Sequence, residues 1–159
     1  MKKSSIHCLD DARNLAKKKL PEMIFDYVDG TALEGDGEKS NYNSFQKIKL
    51  LQNVLSGISK KSIKTKIFNH EFDIPFGIAP MGMCNLVNSK ADISIAKLAR
   101  KFNAPVSFST MASTSLEKTF NMTGELGWFQ LYVYDDLKSG LDLALRAQNT
   151  GYKTLILTV

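Results

Sequence analysis

The chain has 159 residues, 43% hydrophobic and 23% charged, enough for the core of one globular domain and unlike a collagen repeat, a disulfide miniprotein or a disordered tail. The net charge of +5 lies wholly within residues 1–66, with 13 Lys/Arg against 8 Asp/Glu, while residues 67–159 carry 8 of each. Lys17–Lys19 and Lys60, Lys61, Lys64 and Lys66 have no interleaved aromatic residues to stack on bases, so a solvated basic face is expected rather than nucleic-acid binding.

The start, Met1–Ser5 followed by His7, Cys8, Asp10 and Asp11, lacks the apolar run of a secretory signal. Leu9, Ala12, Leu15, Ala16 and Leu20 recur at helical spacing, with Asp10 and Asp11 in the first turn, where the helix dipole favours acids. Pro21 opens a second helix that stops at Gly30, and Thr31–Lys39 is a Gly- and acid-rich loop before a helical segment ending near Phe45 and Ile48. Residues 63–79 alternate and contain Asn69-His70, which predicts a hairpin followed by a strand over Phe76–Ala79.

From there a regular pattern begins. Apolar strands start near Pro75, Pro105, Gly127 and Thr154, about 22 to 30 residues apart, with helices at Lys90–Phe102, Ser115–Met122 and Asp136–Gln148 between them. Ser89 with Asp92 and Thr114 with Glu117 form candidate capping boxes, and Gly151 is a C-terminal stop. Near-continuous apolar strands alternating with helices imply a parallel sheet covered by helices. A (β/α)8 barrel takes about 250 residues, so the expected fold is an α/β half-barrel: a helical segment and hairpin over 1–72, then the first four strands and three helices over 73–159, within a single domain. The expectation is therefore of a truncated chain.

Chemistry in β/α folds collects at the C-terminal ends of the strands. There Ser109, Gln130, Tyr132 and Thr158 are polar residues within apolar strands. Left unpaired, a buried hydroxyl or amide costs about 1 to 3 kcal/mol, so their convergence suggests a shared polar ligand. Each also has a plainer explanation: backbone partners for Ser109 and Thr158, and a core ring with its hydroxyl at the rim for Tyr132. Pro80-Met81-Gly82 offers a rigid turn against which a flat ring could lie, or simply a loop closure. His7 and His70 have no ligand-like spacing, which argues against a metal site or a Ser-His-Asp triad. There is no GxGxxG or P-loop, and the Ser/Thr run from Ser107 to Thr119 suits helix capping better than phosphate binding. Cys8 and Cys84, far apart and without CxxC spacing, fit a reducing compartment. No window approaches 18 uninterrupted apolar residues, so no transmembrane segment is expected.

Five segments in order, LPEMIFDYVDG (20–30), DIPFGIAPMG (73–82), SFSTMASTSLE (107–117), FQLYVY (129–134) and GYKTLILTV (151–159), give the sequence a resemblance to the FMN-dependent α-hydroxy acid oxidase/dehydrogenase family of glycolate oxidase and L-lactate dehydrogenase type. The resemblance implies a TIM barrel with FMN at the strand tips. It implies that Tyr27 binds a substrate carboxylate, that Ala79, Pro80 and Met81 lie against the flavin, that Ser109, Gln130 and Thr158 contact it, and that Tyr132 hydrogen-bonds the substrate hydroxyl or keto oxygen. Met81 stands where some members have Thr. The implied reaction oxidises a small 2-hydroxy acid to the 2-oxo acid by hydride transfer to flavin N5, with oxygen, a quinone or a cytochrome as electron acceptor. The family's general-base His, substrate-binding Arg residues and phosphate-binding loops would lie beyond Val159, which leaves the chain inactive by itself. The implied full-length protein is a homo-oligomer, cytoplasmic or peripheral to a membrane. Two other readings stay open: another FMN barrel, such as an isomerase, and a half-barrel acting as a binding or assembly module.

Overall fold

A computed structural model describes residues 6–57, 59–134 and 136–159; the start of the chain and its reading as lacking a signal fall outside these. The chain divides into two compact units, Met1–Ser59 and Lys60–Val159.

The first unit is helical: α1 Leu9–Lys19, α2 Glu22–Asp29 and α3 Asp36–Lys47. The Asp11 carboxylate accepts from the backbone N–H of His7 at 2.9 Å and of Cys8 at 3.3 Å, closing the first turn of α1, and Lys17–Lys19 occupy its last turn. Pro21 sits one position earlier than expected, as the N-cap of α2, and Gly30 ends that helix. Arg13 of α1 forms a forked pair with Asp29 of α2, at 2.6 and 2.8 Å, and holds the Asp29 carboxyl below its ordinary range. The predicted loop over 31–39 is shorter than expected, because α3 begins at Asp36, with acids Asp36 and Glu38 in its first turn.

The second unit opens with a hairpin, β1 Thr65–Ile67 and β2 His70–Phe72. The register pairs Ile67 with His70, so the turn is Phe68-Asn69 and not Asn69-His70, with Phe68 at φ 53°. The remainder alternates α4 Ala91–Phe102, β3 Val106–Ser109, α5 Leu116–Thr123, β4 Gly127–Tyr132, α6 Leu137–Thr150 and β5 Leu155–Thr158. The three later strands form one parallel sheet in the order β3-β4-β5. The strand expected over Phe76–Ala79 is reduced to a single parallel bridge between Ile78 and Val106. Pro75 and Pro80 flank it and have no N–H to extend a ladder.

Alternation along the strands sorts the two faces. Val106 and Phe108 pack with Ala96 and Ala99 of α4, while Phe129 and Leu131 pack with Leu116, Ala147 and Tyr152. The opposite face carries Ser109, Trp128, Gln130 and Tyr132. At the N-terminal end of β4 the hairpin packs on that face, with the Phe72 ring edge-on to Trp128 at 6.4 Å. Gly151 stops α6 at φ 120°, and a Cβ there would come within 2.5 Å of the Phe120 ring.

Candidate functional site at the strand tips

Strand register brings the candidate residues to two neighbouring levels at one end of the sheet. Ser109 pairs with Gln130, and Gln130 with Ile156, while Tyr132 pairs with Thr158 one step nearer the C-terminal end. Adjacent residues in register share a face, and so do residues two apart on one strand. Ser109, Gln130, Tyr132 and Thr158 therefore share the face turned away from the helices. Beside β3, Ile78 pairs with Val106 and the Met83 N–H donates to the Met111 carbonyl at 2.9 Å.

The polar side chains are not orphans. The Ser109 hydroxyl donates to Gln130 Oε1 at 2.9 Å and accepts from the Met111 N–H at 3.1 Å. Gln130 Nε2 donates to Thr158 Oγ1 at 2.8 Å, and Gln130 itself is only 1% exposed. Burial of this amide is thus offset within the sheet: three of the four groups satisfy one another, so their burial does not by itself require the shared ligand that their convergence suggested. What they leave is a preordered row of polar atoms, with exposed Thr158 at its open end.

Tyr132 differs. It is 37% exposed, its ring leans on Tyr134 with centroids 5.2 Å apart, and its hydroxyl has no hydrogen-bond partner among the described residues. Its backbone is fixed by Thr110, whose hydroxyl donates to the Gln130 carbonyl at 2.7 Å and accepts from the Tyr132 N–H at 3.1 Å. Thr110 was missed as a positioning group in the sequence, although a hydroxyl just past a strand end, next to Ser109, was the available signal.

Ala79, Pro80 and Met81 continue from the Ile78 bridge, and Met81 is 46% exposed. Gly82 does not leave open space for a ligand: a Cβ there would face the Met111 Cβ at 3.0 Å. Its lack of a side chain serves close packing of this turn on the β3–α5 loop. The Cys84 thiol donates to the Met81 carbonyl at 3.7 Å, and burial, aided by nearby Asp92, pushes that thiol up. Tyr27 belongs to the first unit, on α2, and is 60% exposed. His70 lies on β2, beside the N-terminal end of β4, where Trp128, Phe68, Glu125 and Lys153 line a cavity of about 480 Å³.

Among the described residues no helix is long and apolar enough to cross a membrane. Residues 16–159 match the family model described as FMN-dependent dehydrogenase. The chain is 35% identical over 145 residues to 2-hydroxyacid oxidase of Dictyostelium discoideum, covering 91% of this chain and 37% of that protein. It is 32% identical to (S)-mandelate dehydrogenase of Pseudomonas putida, covering 94% and 38%. A solved soluble mutant of the membrane-associated (S)-mandelate dehydrogenase from that bacterium superposes with a TM-score of 0.89 at 32% identity, over 98% of this chain and 44% of the other. The chain thus spans about two fifths of the length of the curated relatives it matches, and its open sheet is the partial (β/α)8 barrel expected from the sequence. A match over nine tenths of its length places this chain in the FMN-dependent dehydrogenase family.

Proposed function

We propose that this chain supplies one wall of an FMN site in an enzyme that oxidises an L-2-hydroxy acid to the 2-oxo acid. The observation that carries this reading is the hydrogen-bonded row of Ser109, Gln130 and Thr158 at the tips of adjacent parallel strands, near the Ala79–Met81 turn, with Tyr132 in register with Thr158 and its hydroxyl without a partner among the described residues. An isoalloxazine ring is flat and carries donors and acceptors along one edge, so a flat turn beside a fixed row of hydroxyl and amide groups suits it. Ala79, Pro80 and Met81 would form the surface under the ring. Ser109, Gln130 and Thr158 would meet its polar edge, each already oriented by its neighbour, so little side-chain entropy is lost on binding. When bound, FMN supplies a hydride acceptor.

Tyr132 would donate to the hydroxyl or keto oxygen of the substrate, held in place by Thr110, and Tyr27 would bind the carboxylate. Neither His70, beside the N-terminal end of β4, nor His7, in the first unit, is proposed as the base that takes the hydroxyl proton. That histidine, the arginines that clamp the carboxylate and the groups that grip the phosphate are proposed to come from the remainder of such a barrel. These 159 residues alone would then hold FMN weakly and give no turnover. Lactate, glycolate and mandelate type acids are the proposed substrates, with oxygen, a quinone or a cytochrome as acceptor. A homo-oligomer, cytoplasmic or peripheral to a membrane, is the proposed state of the whole protein.

The test is turnover of lactate, glycolate and mandelate by the FMN-loaded full-length protein and by Tyr132→Phe. Loss of one exposed hydroxyl should alter stability by less than about 0.5 kcal/mol, yet lower kcat/KM by about 10- to 1,000-fold. No turnover of any 2-hydroxy acid, or equal turnover by both proteins, would contradict the reading.

A further inference from the structure

Beneath the Ala79–Gly82 turn lies a buried acid with an unmet need. Asp92, in the first turn of α4, is 2% exposed, and its Oδ2 has no hydrogen-bond partner among the described residues. An acid that only served the helix dipole would sit in solvent, as Asp10 does on α1. A buried carboxylate oxygen instead requires a donor, since buried polar groups are almost always satisfied. Beside Asp92 is a cavity of about 10 Å³ lined by Ala79, Met81, Cys84, Ile95, Ser107 and Phe108. That is close to the least space one water occupies.

The surrounding bonds link α4 to the segment that follows the turn and to the β3–α5 loop. The Asp92 N–H donates to Asn85 Oδ1 at 3.4 Å, and the Asn85 N–H to Ser113 Oγ at 3.3 Å. The Cys84 thiol lies 3.7 Å from the Met81 carbonyl and also within hydrogen-bonding reach of the Asp92 side chain, so it stands between the turn and the acid. We propose that Asp92 is a positioning residue for the Ala79–Gly82 wall: its Oδ2 accepts from a single buried water seated in this cavity, and together with the Cys84 thiol that water ties the turn to α4. The role of the wall rests on the flavin reading above, whereas the tie does not. The capping box expected between Ser89 and Asp92 is not formed; the N-cap is Lys90, and the burial of Asp92 belongs to this second task.

Two variants test it in the full-length protein. Asp92→Asn keeps the shape and removes the charge that disfavours a Cys84 thiolate; Asp92→Leu removes the acceptor and fills the cavity. Iodoacetamide labelling of Cys84, followed by peptide mass spectrometry at mildly alkaline pH, should be about threefold faster or more in both. Amide exchange over Met81–Leu86 should quicken by about tenfold in Asp92→Leu, while β3 and β4 stay protected. FMN affinity should fall by about the same factor. Unchanged exchange and labelling in both variants would overturn the proposal, as would a loosened turn with unchanged FMN affinity. Failure of the unsubstituted protein to bind FMN would sink the functional reading alone, because exchange and labelling would still decide the tie.

Discussion

Gln130 shows how one side chain can hold both a fold and a candidate site. Its amide bridges Ser109 and Thr158 across three strands, at 2.9 and 2.8 Å. Gln130→Met keeps the volume and removes both bonds, so chemical denaturation should show a loss of about 1 to 2 kcal/mol, while FMN affinity falls at least tenfold if the row meets a ligand. A stability loss with unchanged affinity would mark the row as structural only. Tyr152 makes a separate case on the helix side. Its hydroxyl, held between Thr119 at 2.8 Å and the Leu116 carbonyl at 3.1 Å, is pushed up to about 12, chiefly by burial. The neutral form is favoured in the folded state, so this contribution is whole below the ordinary tyrosine value near 10 and is lost as pH rises toward about 12. Stability should therefore drop across that alkaline window, and Tyr152→Phe should drop less, as followed by denaturation at successive pH values.

Elements with a strong period were legible in the sequence; those fixed by single contacts were not. The helices other than α3 lie close to where the 3.6-residue pattern puts them, and β3, β4 and β5 begin at or next to Pro105, Gly127 and Thr154, as expected. The first strand was over-read because Phe76–Ala79 has strand composition, but Pro75 and Pro80 limit it to one bridge. The caps were displaced by one residue for a reason composition does not show. Asn88 accepts the Lys90 N–H with its side chain at 3.0 Å and the Ala91 N–H with its carbonyl at 2.8 Å, which leaves Ser89 without the task. Ser115 takes the place expected of Thr114, and Glu117 turns to Arg146 of α6 at 2.7 Å. The strand-tip residues stood out as polar letters in apolar runs, whereas their mutual satisfaction depends on register, which a single sequence does not encode. Gly151 was legible as a stop, and its second role, against Phe120, was not. Gly151→Ala combines a positive φ with that clash and should cost about 2 to 3 kcal/mol, lowering Tm by several degrees.

At the scale of the whole second unit, the sheet has two ends of different character. At one, Met81, Ser109, Gln130, Tyr132 and Thr158 line the strand tips; at the other, the hairpin and Trp128 bound the 480 Å³ cavity with Glu125 and Lys153 in an ion pair. The outer side is apolar: Leu141 and Leu145 of α6 and Leu155 and Leu157 of β5 are 48 to 56% exposed, a face that a further βα unit covers in a closed barrel. The Trp128 end holds the larger cavity, and the tips hold the polar row described above. The most direct measurement is therefore an FMN titration of isotopically labelled protein followed by amide and side-chain NMR shifts, which detects even weak binding. We expect graded shifts at Met81, Ser109, Gln130, Tyr132 and Thr158, with the signals of Phe68, Trp128 and Lys153 unmoved. Shifts confined to the Trp128 end, or none at the strand tips at saturating FMN, would contradict a flavin wall there.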